Sequence, residues 1–275
     1  MCANGPLVAG LVLVLSPLAL SFAARLVLIG PADLRLGAYL LGEEPSWAHP
    51  LGTDNLGRDM LAVVLYSTPP TIEIGLIAGV AATAAGTVLG LLSGYYRGWI
   101  DWLVRGATDV ALGIPSLLVL VVIAALMGQT SLKTMGLIIA LFAWPFAARA
   151  VRAQVLALRE QPYVMVSKLS RRTNAEIMFL ELLPNLLPYL MATLLGAIST
   201  AILTAVGLQL IGLAPVGTPT LGLMLQSAFQ AGALSQGIWW WWGPPAATLA
   251  LLFLGLFLTT AALDRVANPR LRGLR

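Results

Sequence analysis

Charge is scarce in this chain: 10 % of its 275 residues are Asp, Glu, Lys or Arg, against about 25 % in a soluble domain, so it cannot cover a water-facing surface. One cysteine, Cys2, and one histidine, His49, exclude an intrachain disulfide and make a Cys/His metal cluster untenable. The only lysines are Lys133 and Lys168, and neither closes a Gly-rich GxxxxGK[ST] loop, so ATP is not bound by that device. GxSxG, HExxH and paired carboxylates with histidines are also missing, which leaves no constellation for hydrolysis within a membrane. No catalytic and no metal residue is assigned, and hard chemistry must come from a partner.

What the chain has is apolar length. Hydrophobic types make up 59 %, and a helix needs about 20 mainly apolar residues to cross the hydrocarbon core. Six stretches qualify, near Pro6 to Leu28, Ile72 to Tyr95, Val110 to Leu126, Met135 to Val155, Leu183 to Leu213 and Pro244 to Leu263. The expected fold class is an all-α membrane protein with six transmembrane helices. The fifth stretch exceeds what a span requires, so it is expected to tilt, break near Gly207 or include an interfacial turn. Ser21 and Ala23 before Ala24 make a small-residue pattern like a cleavage site. Met1 to Gly5 holds no Lys or Arg, however, and the apolar run is longer than a signal core, so an uncleaved first helix is expected.

With six spans the termini share a side. Placing them in the cytoplasm puts Arg97, Arg105, Arg149, Arg152, Arg159, Lys168, Arg171, Arg172, Arg265, Arg270, Arg272 and Arg275 inside, twelve of the sixteen basic residues. Arg25, Arg35, Arg58 and Lys133 remain outside, and the positive-inside bias gives N-in/C-in. The run Trp239 to Trp242 then falls at the outer end of the last span, where indoles favour the headgroup layer.

Several local devices stand out. Gly75, Gly79, Gly86, Gly90 and Gly94 lie on one stripe of the second span and invite close helix packing. Arg97, Asp101, Arg105 and Asp109 follow at steps of four, a spacing that forms an ion-pair ladder along one helix. Asp109 lies deepest and is placed to pair within the bundle. Asp109 and Glu73, near the outer end of span two, are weak signs of a proton relay. Pro115 and Pro145 fall inside spans and kink them unless neighbours compensate.

The longest polar internal stretch, about residues 156–182, joins spans four and five. Pro162 suits the first turn of a new helix, since its missing N–H is not needed there. From Tyr163, residues Val166, Leu169 and Ser170 share one face, with Lys168, Arg171 and Arg172 toward the polar side. This predicts a short amphipathic helix at the cytoplasmic surface, either lying on anionic lipid or inserted as a knob into another protein.

Four segments together resemble a known family: HPLGTDNLGRDML (His49 to Leu61), GLLSGYYRGWIDWLVRGATDVALGIPSLL (Gly90 to Leu118), QPYV followed by ELLPNLLP (Gln161 to Pro188), and the tail NPRLR (Asn268 to Arg272). They look like the inner-membrane permease of binding-protein-dependent ABC importers, and most like its C-type subunit in dipeptide, oligopeptide and nickel systems. The resemblance covers residues 49–275 as the permease core with five spans, leaving 1–48 as a first transmembrane helix and outer segment. It implies the type I importer permease fold in a prokaryotic inner membrane, crossed several times. It also implies four kinds of neighbour: a homologous second permease, two P-loop ATPase subunits carrying ATP and Mg, an extracytoplasmic substrate-binding protein, and lipid.

The family's coupling loop carries a consensus resembling EAAxxxGAS. Aligned through Tyr163 and Val164, its Glu-Ala-Ala falls on Met165, Val166 and Ser167, its Gly on Arg171, and the next two positions on Arg172 and Thr173; the Glu and the Gly are both absent. The resemblance makes Gln161, Pro162, Tyr163, Val164, Lys168, Arg171, Arg172 and Thr173 the expected ATPase-coupling residues. Two further departures are Leu221, where the outer-loop motif has Trp, and Asn268, which replaces Asp in the tail. Pathway residues are expected among small, weakly polar groups such as Thr83, Ser116 and Ser199. The expected function is half of the translocation pathway of an ATP-driven importer for peptides. Oligosaccharides come next as substrate, and nickel complexes are disfavoured because the chain offers no evident soft-metal path. The other-class alternative, a self-sufficient secondary transporter, would need buried charge or repeated halves near the midplane, and neither is evident.

Overall fold

A computed structural model describes residues 4–27, 34–128 and 130–267. Helices account for most of it: α1 Asn4–Val27, α2 Met60–Tyr96, α3 Gly98–Gly113, α4 Ser116–Met127, α5 Leu132–Leu158, α6 Pro162–Leu169, α7 Asn174–Glu176, α8 Leu183–Leu210, α9 Leu221–Gln230 and α10 Trp239–Ala267. A π-helical stretch, Ile177–Leu182, fuses α7 to α8. Among the described residues no strand occurs, only an isolated bridge between Thr53 and Asp59. Five helical segments are long and apolar enough to span a membrane, or six if α3 and α4 count as one span bent by 78°.

The breaks have local causes. Pro115 disfavours helical geometry in the residue before it, and Ile114 is accordingly extended (φ −88, ψ 127). The kink expected at Pro115 is thus a full break, whereas Pro145 sits inside an uninterrupted α5. Ser131 and Thr220 cap α5 and α9 by accepting hydrogen bonds from the backbone of Thr134 and Leu223.

Three expectations need correction. Span two begins at Met60 rather than Ile72, because Asp59 supplies an N-cap acceptor to Ala62 and Pro69 and Pro70 are absorbed into the helix. Of the three outcomes expected for span five, the break near Gly207 is absent, since α8 runs through it to Leu210, and a turn at Ile211 and Gly212 closes the stretch instead. Of the tryptophan run, Trp239 is exposed, but Trp240 and Trp241 are buried, and Trp241 belongs to the core with Met60, Ile202 and Leu252. The residues past Val27 in span one, and the tail Asn268 to Arg272, lie outside the described residues.

The bundle is organised around α2, 37 residues long and so about 55 Å from end to end. Lipid is as apolar as leucine, so helices associate here through close packing and interhelical polar bonds rather than burial from water. The glycine stripe serves that purpose on two partners. A Cβ at Gly75 or Gly79 would strike Ile202 or Ile198 of α8, and one at Gly86, Gly90 or Gly94 would strike α5. The α2–α5 seam leads to a second core at the opposite end from Met60, where Leu91, Tyr95, Val155, Val164, Ile177 and Leu182 meet.

Candidate functional site

The polar segment between α5 and α8 folds onto the end of α2. Gln161 precedes α6 and Pro162 opens it, as its chemistry favours. Val164 is fully buried in the core beneath, and Ser167 is buried beside it, its hydroxyl donating to Glu181 Oε1 at 3.1 Å. The Arg172 guanidinium pairs with the same carboxylate. Tyr163 packs against that core with its hydroxyl enclosed and unpartnered. Burial pushes its phenol above the ordinary value and the nearby Glu181 charge adds to this, so Tyr163 stays protonated. Thr173 caps the next turn in a reciprocal capping box with Glu176.

The amphipathic expectation is met with its faces changed. Val164 and Ser167 turn inward, while Met165, Val166 and Leu169 are 51 %, 60 % and 83 % exposed. Lys168 is exposed among them, with its ammonium 5.8 Å from the Tyr95 ring centroid. The inward face is set by what the π-helical stretch Ile177–Leu182 and the end of α2 offer, which the spacing of apolar residues within α6 does not encode. Arg171, which the resemblance aligns with the consensus Gly, has φ 55, a left-handed backbone that glycine adopts freely.

The charges after α2 do not form the expected ladder along α3. Asp101 instead bonds Arg152 of α5, Nη2 to Oδ2 at 2.7 Å, and accepts from Ser93 of α2. Asp109 pairs with Arg149 of α5, each a little over half exposed, and Arg97 pairs with Glu160 at 3.2 Å. Spacing of four gives residues a common face; here α5 presents its own arginines to that face.

At the far end of α2, the LGTDNLGRD segment is a folded cap. Thr53 Oγ1 donates to Leu40 O at 2.7 Å and accepts from Glu43 N at 2.8 Å. Asp54, 1 % exposed, accepts from the backbone of Leu56 and Arg58 and from Arg58 Nε at 2.7 Å. Asp59 caps α2 with one oxygen and meets His49 Nδ1 at 2.7 Å with the other. The His49 ring lies against Tyr39, ring centroids 4.2 Å apart and planes tilted by 58°. Gly52 has φ +66, and a Cβ there would meet Glu43 O at 2.5 Å. The motif residues thus build one knot that starts the long helix.

Thr83, Ser116 and Ser199 sit on α2, α4 and α8, and among the described residues no hydrogen bond joins them. Thr83 is buried with an unpartnered hydroxyl, while Ser116 and Ser199 are half-buried. A cleft of about 290 Å³ opens between α5 and α8, with Phe146, Thr193, Gly196 and Thr200 in its lining.

Sequence reasoning passes over two polar junctions, the first buried and the second partly so. In one, Thr220 donates to Gln209 Oε1 at 2.8 Å and Thr71 accepts from Leu221 N at 3.0 Å, tying α2, α8 and α9. In the other, Arg159 and Tyr95 join the polar segment to α2. A glutamine or arginine inside an apolar run is the only signal either leaves.

The sequence profile of the family described as binding-protein-dependent transport system inner membrane component matches residues 86–273. The chain is 36 % identical over 187 residues to a dipeptide transport system permease protein of Alkalihalophilus pseudofirmus, a match covering 68 % of this chain and 61 % of that protein, less than two thirds of its length. It is 32 % identical over 216 residues to a glutathione transport system permease protein of Pectobacterium atrosepticum, covering 78 % and 71 %. To an oligopeptide transport system permease protein of Lactococcus lactis it is 29 % identical over 223 residues, covering 81 % and 76 %.

Proposed function

The chain belongs to the binding-protein-dependent transport system inner membrane components, and from that premise we propose that it forms one half of the translocation pathway of an ATP-driven peptide importer. In this reading it lies N-in/C-in in the inner membrane, beside a homologous second permease. Two ATPase subunits bind below with ATP and Mg, and an extracytoplasmic binding protein delivers substrate above. The chain itself holds no catalytic site. Peptides are the favoured cargo because the relatives named above carry dipeptide, oligopeptide and glutathione in their names.

The observation that carries the reading is α6. Met165, Val166 and Leu169 project outward beside the cations Lys168, Arg171 and Arg172, on a segment anchored from beneath by Val164 and Glu181. Such a rigid, apolar and basic projection suits a groove on an ATPase. Closure of the ATPase dimer on ATP would then move α6 as a lever and switch the permease pair between inward and outward openings. Gln161, Pro162, Tyr163, Val164 and Thr173 shape the projection, and Thr83, Ser116 and Ser199 are proposed for the pathway.

The test is purification of the tagged chain from its native membrane in gentle detergent, with identification of every co-purifying chain. A second permease with P-loop ATPases is the expected result. A chain that emerges alone and moves solute after reconstitution without ATP would overturn the proposal in favour of a secondary transporter.

A further inference from the structure

The polar segment is gripped on both sides of α6 by the elbow between α2 and α3. Before α6, Arg159 Nη1 donates to Tyr95 O at 2.6 Å and Gly94 O at 3.3 Å, satisfying carbonyls that the end of α2 leaves free. Next to it, Glu160 accepts from Arg97 Nη2 at 3.2 Å. After α6, Asn174 Oδ1 accepts from the Tyr95 hydroxyl at 2.8 Å, and Lys168 of α6 itself lies over the Tyr95 ring. Tyr95 is 7 % exposed and packs in the core that also holds Val164.

The elbow is strained. Arg97 has φ 56 and ψ −158, a region that is essentially glycine's own, and Gly98 follows at φ +61. Such a conformation persists only where its surroundings over-determine it, and the surroundings here are the two ends of the polar segment. From the elbow, α2 runs to the folded cap at Asp59, and α3 leads to the break at Pro115.

We propose that Tyr95, with Arg97 and Arg159, forms the joint through which movement of α6 reaches α2 and α3. Tyr95 is a positioning residue in this scheme: its ring seats the elbow on the core and its hydroxyl fixes the elbow to the chain beyond α6. Displacing α6 therefore swings α3 about Arg97 and Gly98 rather than bending the loop alone. The inference rests on the reading that α6 docks an ATPase.

The test is the ratio of ATP hydrolysed to peptide accumulated in proteoliposomes containing the full complex, with its second permease, ATPases and binding protein. Tyr95→Phe removes one hydroxyl and leaves the ring. The complex should assemble and hydrolyse ATP as before while uptake falls about three- to tenfold, the scale of one lost hydrogen bond, and the ratio rises equally. Asn174→Asp keeps the acceptor and should keep the wild-type ratio. Should Tyr95→Phe fail to assemble, Asn174→Ala removes the same bond from an exposed position and carries the same expectation. A ratio unchanged in the acceptor-less variants, or hydrolysis and uptake falling together, overturns the joint alone. A wild-type complex that accumulates no peptide with ATP overturns the importer reading, and the joint with it.

Discussion

Arg171 and Gly90 show opposite uses of a single backbone position. Arg171 holds φ 55 without being glycine, and left-handed geometry costs an L-residue about 1–2 kcal/mol. Arg171→Gly should therefore raise stability by about 0.5–1 kcal/mol after the added entropy of the unfolded chain, read as a higher unfolding midpoint in detergent; a lower midpoint contradicts the assignment of strain. At Gly90 a Cβ would lie 2.6 Å from Ala148 O, a backbone atom that cannot turn aside. Gly90→Ala should cost about 1–3 kcal/mol. Gly106→Ala, with nothing within 4 Å, should be neutral or stabilising by up to about 1 kcal/mol on helix propensity. Equal midpoints for the two alanine variants would sink the packing account of the stripe.

Between helices, the more enclosed of the two ion pairs that tie α3 to α5 is Asp101 with Arg152, whose side chains are 17 % and 25 % exposed. Asp101→Asn leaves the guanidinium without its ionic partner, and about 1–3 kcal/mol should be lost. Hydrogen exchange along α3 should quicken while α10 keeps its protection; uniform quickening would mean that α3 is not a separable unit. The exposed face of α6 gives the complementary case. Leu169→Glu changes a side chain that is 83 % exposed, so the midpoint should stay within about 0.5 kcal/mol, while ATPase affinity in the purified complex falls at least about tenfold if Leu169 is an interface anchor. Unchanged affinity would remove α6 from the interface.

Across the whole molecule, what could be read from the sequence was what is decided locally. Pro162 announces the start of α6, and the glycine spacing announces close packing along α2, whereas the LGTDNLGRD segment carries the family resemblance without announcing that it folds into a cap. The partners of those features lie far along the chain. Asp101 bonds Arg152, 51 residues away, and Tyr95 bonds Asn174, 79 residues away, which no periodicity encodes. Trp240 and Trp241 fit the headgroup layer by residue type, yet the tertiary core takes them because α10 begins beside the cap, with Gly52 against Trp240. The expected pathway residues Thr83, Ser116 and Ser199 rest on small size and weak polarity, which say what kind of group can line a path but not which helix face carries it.

The proposed function requires that peptide moves through this chain only when ATPases docked on α6 drive it. The most direct measurement is accumulation of a labelled peptide in proteoliposomes holding this chain and its second permease, with binding protein outside, ATP inside, and the ATPases present or omitted. Accumulation against a gradient that requires both ATP and the ATPases, and that Leu169→Glu abolishes, is the predicted result. Accumulation that persists without the ATPases, or that Leu169→Glu leaves intact, would contradict the account.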